Sequence, residues 1–172
     1  MFTSKGFHGT ATAAIAQRSG VSNGTLFHHF RSKEELIQKL HTSLKSEQLS
    51  FISSGMEEED IPRDKIQHVW QRSIQWAMDN RDKYHFLQQY KYSPYRKKAK
   101  VEILHFNKEF MDNAEKGVQQ KQVRYLPYDY ILDITNAHVH GMIEYLSENP
   151  IKYRTPEFMR QAFDSFYDSI KP

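Results

Sequence analysis

Seventeen consecutive residues, Gly20-Val21-Ser22-Asn23-Gly24-Thr25-Leu26-Phe27-His28-His29-Phe30-Arg31-Ser32-Lys33-Glu34-Glu35-Leu36, constrain the fold more than the rest of the chain together. Gly20 ends a short helix predicted from Thr10 to Ser19, with Thr10 as its cap and Ile15 and Ala16 facing inward. Ser22 is placed to cap a second helix through Phe30, with Leu26 and Phe30 on its buried side. Ser32 and Glu35 have the S-x-x-E spacing of a capping box, and the helix they open turns Leu36, Leu40 and Leu44 inward. Two short helices meeting at a glycine make a helix-turn-helix. The second helix of that motif can enter the major groove of DNA.

Beyond this motif, strand-like alternation never persists and apolar residues recur at helical spacing, so the chain is expected to be all-α. The acidic run Glu57-Glu58-Glu59-Asp60 before Ile61-Pro62 reads as a helix start, because carboxylates favour the positive end of the helix dipole. The next helix carries Ile66, Val69, Trp70, Ile74 and Ala77, and a shorter one carries Phe86, Leu87 and Tyr90. Ser93-Pro94 is read as a cap and first-turn proline, before a helix that buries Ile103, Phe106, Phe110 and Ala114. A helix from about Pro127 to Ser147 has two apolar stripes: Leu132, Val139, Ile143 and Leu146, and Ile131, His138, Met142 and Tyr145. The last begins at Thr155-Pro156 and carries Phe158, Met159, Ala162, Phe163, Phe166, Tyr167 and Ile170. A helix with two apolar stripes has two partners, one of which can be a second copy of the chain. The expected division is a helix-turn-helix domain over residues 1–48 and an effector-binding and dimerisation domain over 49–172, with a homodimer formed through the last two helices.

Charge placement supports that division. Residues 1–48 hold six Lys/Arg against three acids, and residues 49–172 hold eighteen of each sign. A basic segment beside a neutral one suits a phosphate-facing module coupled to a different task. The stretch Tyr92–Lys100 is also basic, through Arg96, Lys97, Lys98 and Lys100, and reads either as a nucleic-acid contact or as a solvated helix start.

Several function classes have nothing to rest on. The chain has no cysteine, which excludes disulfides and thiolate metal sites. His28-His29 and His138-x-His140 lack the i, i+4 spacing that lets two imidazoles share one ion on a helix, so no metal is expected. There is no Gly-rich phosphate loop and no evident Ser/His/Asp arrangement, so neither a cofactor nor an enzyme is expected. No apolar run approaches the ~20 residues of a membrane helix, and Met1–Lys5 does not read as a secretory signal. A cytoplasmic protein is the expectation.

The residues Gly6-Phe7, Thr10, Ile15-Ala16, Gly20-Val21-Ser22, Gly24-Thr25-Leu26, His29-Phe30 and Ser32-Lys33-Glu34-Glu35-Leu36 together resemble the N-terminal domain of the TetR family of bacterial one-component repressors. That resemblance implies a homodimer whose N-terminal domains bind a palindromic operator in double-stranded DNA. It also implies C-terminal domains that form an effector pocket and a four-helix dimer interface, with ligand binding spreading the two heads. The DNA-contact candidates are Thr10, Ser22, Asn23, Gly24, Thr25, His28, His29 and Lys33. Small polar residues at the recognition helix suit phosphates and base edges, and Gly24 lets backbone approach closely. Lys33 opposes the dipole of its own helix, a local conflict that points to a phosphate clamp. The family usually places a tyrosine where this chain has Phe27, so that hydroxyl contact is lost and Phe27 is read as packing. The family's first helix is matched only by its last turn, at Met1-Phe2.

All ten tyrosines lie at or after Tyr84, and the tryptophans are at 70 and 76. An aromatic-rich helical bundle can enclose a planar apolar ligand. The effector-pocket candidates are Trp70, Tyr90, His105, Phe106, Phe110 and His138, the last because it interrupts an apolar stripe; a satisfied core or dimer-interface histidine is its other reading. The functional expectation is a ligand-responsive repressor released by a small hydrophobic or aromatic effector. The alternative is a small-molecule-binding helical dimer whose DNA-binding head is incomplete.

Overall fold

The computed structural model describes residues 1–56, 62–98, 112 and 115–172, and the regular structure of those residues is entirely helical. The acidic run 57–60 and most of the helix expected around Ile103, Phe106, Phe110 and Ala114 lie outside the described residues. In chain order the elements are α1 (Phe2–Gly9), α2 (Thr12–Arg18), α3 (Asn23–His29), α4 (Lys33–Ser53), α5 (Pro62–Asp79) and α6 (Arg81–Lys91). A 3-10 turn follows at Pro94–Lys98, then α7 (Tyr128–Glu148), α8 (Pro150–Tyr153) and α9 (Pro156–Asp168). They form two units, each built from two stretches of chain: Met1–Glu47 with Asn80–Glu102, and Gln48–Asp79 with Ile103–Pro172.

The first unit contains the helix-turn-helix. α2 ends as a glycine-terminated helix should. Gly20 takes φ 69, its N–H reaches the Gln17 carbonyl at 3.2 Å, and the Val21 N–H reaches Ala16 at 3.1 Å. Those two bonds satisfy carbonyls that the helix end would otherwise leave open, and a side chain at Gly20 would strain that φ. The turn leads directly into Ser22, the cap of α3, and α2 packs on α3 through the buried Ala16 and Leu26. α1 is kinked at Gly6, where φ 69 and ψ 171 leave the helical region.

Aromatic packing fastens α1 to α6. Phe2 and Phe7 sit 5.4 Å apart, and each lies against Phe86, at 5.8 and 5.4 Å. Tyr95 of the 3-10 turn meets Phe7 edge-on at 5.6 Å. Such ring pairs contribute about 0.5–1.5 kcal/mol each beyond their buried area. One turn further along α6, Tyr90 stacks flat on His41 of α4, with centroids 3.7 Å apart.

Two expectations for this unit are corrected. Thr10 does not cap α2, which starts at Thr12 with Ala11 as its cap residue. Thr10 is instead fully buried, and its hydroxyl donates to the Gly6 carbonyl at 2.7 Å, closing the kink of α1. In this unit the inward face of α4 is centred on Ile37 and Leu44, and Leu36 and Leu40 are only half-buried. Steps of four drift around a helix of 3.6 residues per turn, so Leu36 and Leu40 fall on the flank of the stripe that Leu44 belongs to.

The second unit is built around α5, α7 and α9. Ile66, Val69, Trp70, Ile74 and Ala77 are buried as the periodicity of α5 requires, together with Trp76. α7 buries Ile131, Thr135, Met142, Ile143 and Leu146, and α9 buries Phe163 and Phe166, with Ile170 just beyond its end. The Arg63 guanidinium lies 5.2 Å from both the Phe163 and Tyr167 rings and donates to Asp164 at 2.8 Å. Side chains of α5 also finish α4. Arg72 donates twice to the Phe51 carbonyl, at 3.2 and 2.9 Å, and His68 Nε2 bonds the Ile52 carbonyl at 3.0 Å. These carbonyls belong to the last turn, where no helical donor remains.

The stacked His41 generates a test. Its Nδ1 is buried without a hydrogen-bond partner. Burial, and then the Lys45 charge, push its pKa down to about 4 from 6.5. A histidine depressed in the folded state adds no penalty above the unfolded value and destabilises as pH falls below it, because the unfolded chain binds the proton first. Urea unfolding should therefore show stability falling from pH 7 toward about 4, the window set by those two values. His41→Phe, which keeps the ring on Tyr90, should flatten that fall; an unchanged acid limb would remove His41 as its source.

Candidate nucleic-acid interface

The exposed side of α3 is built by its cap. The Ser22 Oγ accepts the Thr25 backbone N–H at 3.0 Å and lies 2.8 Å from the Thr25 hydroxyl. Only Leu26 of α3 is buried, and it pins the helix to the unit. Ser22, Asn23, Gly24, Thr25, His28 and His29 are all exposed, so six of the eight DNA-contact candidates are open to solvent on or beside α3. His28 and His29 meet edge-on at 5.5 Å, at the C-terminal end of the helix. An added Cβ at Gly24 would find only Ser22 Oγ, at an unstrained 3.6 Å. Packing does not demand a glycine there.

Thr10 is the candidate that leaves the set, since it has no exposed surface to offer a phosphate. Phe27 is corrected in the opposite sense. It is 41% exposed, an apolar ring standing on the same open surface rather than packing inside. Helical spacing accounts for this: Leu26 takes the inward direction, and the next residue is rotated about 100° away.

Lys33 shows how a residue that is awkward locally can fit tertiary structure. Its Nζ lies 3.5 Å from the His8 carbonyl in the last turn of α1. The charge is unfavourable for the start of α4 but favourable for the end of α1. The start of α4 is held by others. The Ser32 Oγ accepts the Glu35 N–H at 3.2 Å, and the Glu35 carboxylate reaches back to the Arg31 N–H at 2.7 Å. That backbone bond, followed by Lys39, holds the Glu35 carboxyl below its ordinary range. The reach back to Arg31 is one residue longer than the reciprocal capping box would give.

The effector candidates divide between the units. Trp70 and His138 come together in the second unit. The indole N–H donates to His138 Nδ1 at 3.0 Å, beside Phe163 and Phe166 at 5.6 and 5.0 Å. An indole nitrogen only donates, so Nδ1 is the acceptor and the proton of the neutral ring is on Nε2. Burial lowers the His138 pKa in the same sense. Tyr90 belongs to the first unit, stacked on His41 with its hydroxyl donating to the Tyr95 carbonyl at 3.2 Å. His105, Phe106 and Phe110 lie outside the described residues. Periodicity did not single out an open depression in the first unit lined by Thr3, Ser4, Asp82, His85, Gln88 and Gln89. It joins residues about eighty positions apart, which no local pattern encodes. Among the described residues no three metal-ligating side chains converge, and no helix is long and apolar enough to cross a membrane.

Residues 1–40 match the family model of bacterial regulatory proteins, tetR family. Over 40 residues the chain is 48% identical to the HTH-type transcriptional regulator UidR of Escherichia coli (strain K12), covering 23% of this chain and 20% of that protein. Over the same length it is 42% identical to the HTH-type transcriptional repressor KstR2 of Mycobacterium tuberculosis (strain ATCC 25618 / H37Rv). The match thus spans about a fifth of these curated relatives. The fold is similar over nearly the whole chain to a crystallised candidate tetR-family transcription regulator from Shewanella sp. PV-4. That likeness has a TM-score of 0.87 and 29% identity, and covers 99% of this chain and 92% of the other. The fold of the ketosteroid transcriptional regulator KstR2 of Mycobacterium tuberculosis is also similar, at TM-score 0.71 and 17% identity, covering 100% of this chain and 90% of that one.

The cap of α3 gives the next test. Removing an N-cap hydroxyl costs about 1 kcal/mol, so Ser22→Ala should lower the Tm by about 2–4 °C in a chain of this size. Calorimetry showing no shift would mean that tertiary contacts alone hold α3.

Proposed function

We propose that the chain, whose residues 1–40 match the tetR-family model, is a DNA-binding transcriptional regulator of that kind, a repressor that leaves its palindromic operator when a small hydrophobic or aromatic effector binds. The observation that carries the reading is the open face of α3. Ser22, Asn23, Gly24, Thr25, His28 and His29 stand exposed on a short capped helix held by a single buried leucine. Small polar side chains and bare backbone on such a helix fit a groove edge and its phosphates. Lys33, at the start of α4, adds a cation beside that surface. The function is non-enzymatic, with DNA, an effector and a second copy of the chain as partners.

The proposed division of labour keeps residues 1–48 as the DNA-binding domain and 49–172 as the effector-binding and dimerisation domain. Trp70, His138, His105, Phe106 and Phe110 are the proposed effector contacts. Tyr90 is accounted for by its stack on His41. Dimerisation through the last two long helices is supported by the aromatic side chains α7 leaves open. Tyr130 and Tyr145 are 53% and 43% exposed on a helix whose other face is buried.

Mobility shift on duplex DNA from the chain's own upstream region tests the reading directly. Binding should weaken steeply with salt, because each phosphate contact releases counterions. Lys33→Ala should reduce the salt slope by about 1, and Thr25→Ala should weaken binding with the fold intact. No shift at low salt would overturn the assignment. Sedimentation at micromolar concentration should give a dimer, and a stable monomer would count against the dimer reading.

A further inference from the structure

The first unit contains a basic element that the helix-turn-helix does not include. Its second stretch of chain, Asn80–Glu102, brings seven Lys/Arg and two acids to the six and three of Met1–Glu47. The unit as a whole therefore has thirteen basic residues against five acidic, a net charge of +8. The other unit has eleven against sixteen, a net charge of −5. No acid occurs between Asp82 and Glu102, whereas Lys91, Arg96, Lys97 and Lys98 fall at the end of α6 and on the 3-10 turn.

This arm is held in place. Tyr95 packs edge-on against Phe7 of α1, and its carbonyl accepts the Tyr90 hydroxyl. The Ser93 hydroxyl donates to the Tyr90 carbonyl at 2.8 Å, and the Arg96 N–H donates to the Ser93 carbonyl at 3.2 Å. The arm and Lys33 meet the same turn of α1: Phe7 touches Tyr95, and the carbonyl of the next residue, His8, lies against Lys33 Nζ. Lys83, earlier on α6, pairs with Glu47 at 2.6 Å. Among the described residues Lys91 and Arg96 have no ion-pair partner, and both are exposed. Lys45 senses this excess, since burial and then the Lys91 charge push its pKa down to about 8.

We propose that the basic stretch 91–98, on which Lys91 and Arg96 stand exposed, is a second phosphate-binding element, which grips duplex DNA flanking the bases read by α3. Exposed Lys91 and Arg96, in a basic stretch of the unit that contains α3, suit a polyanion. The arm carries no sequence information. It adds affinity and salt dependence, and the helix-turn-helix supplies specificity. The inference rests on the DNA-binding reading of the head.

Fluorescence anisotropy of the full chain on a long random-sequence duplex and on one too short to extend past the recognition helix tests it. The variants are Lys91→Gln/Arg96→Gln/Lys97→Gln/Lys98→Gln, the single Arg96→Gln, and Thr25→Ala/Lys33→Ala, each checked by circular dichroism. The quadruple variant should lose about tenfold or more on the long duplex and flatten its salt slope by about 2–3. Its deficit should shrink on the short one. Arg96→Gln should show a smaller loss in the same direction, and keeps the test decisive if the quadruple variant fails to fold. Unchanged affinity and slope in the arm variants, with binding lost in Thr25→Ala/Lys33→Ala, would overturn the inference and leave the regulator reading standing. A folded wild-type chain that binds neither duplex would overturn both.

Discussion

Four aromatic rings set the geometry of the first unit. Phe2 and Phe7 of α1, Phe86 of α6 and Tyr95 of the following turn contact one another in one cluster. Through it a short kinked helix gains a rigid support, because ring faces and edges meet only in certain orientations. The kink itself is closed by the buried Thr10 hydroxyl on Gly6. Once α1 is fixed, its last turn can receive Lys33 at the start of α4. The same cluster brings the basic turn after α6 into the unit that contains the helix-turn-helix.

The second unit depends on cations placed against aromatic faces and orphan carbonyls. Arg63 sits between Phe163 and Tyr167 while bonding Asp164, and Arg72 lies 3.6 Å over the Phe51 ring while bonding the Phe51 carbonyl. Arginine suits both tasks because its planar charged group stacks and donates at once. Between them Trp70 and His138 satisfy each other in an otherwise apolar interior. An unpaired imidazole or indole there would be penalised by burial.

The recognition helix was legible because its signals are local. The Gly20 turn, the Ser22 cap and the Ser32–Glu35 pairing each act within a few residues, and each forms as its spacing implies. The apolar face of α5 was equally readable, since period and burial coincide there. Thr10, Phe27 and the Leu36–Leu40 stripe were misjudged for one reason: the residue type fits its local role, and the direction of the side chain is set by neighbours distant in sequence. Of the candidate site, the α3 surface was visible in the sequence. The Trp70–His138 bond spans 68 positions and was visible only as two isolated residues.

Charge shows where local reading ends. Counted along the chain, the excess is three positive charges in the first 48 residues and none after. Counted by the units the fold makes, it is +8 against −5, because α6 and its basic turn, which follow α5 in the chain, belong to the same unit as the helix-turn-helix. The sequence by itself determined the helices, the turn between α2 and α3, and the polar face that α3 presents, since capping, glycine conformation and helical period act over a few residues. Only tertiary structure decided which later helix braces the head, where Lys33 finds its partner and how charge is partitioned. Those outcomes depend on aromatic packing between segments some eighty residues apart, which no local pattern specifies.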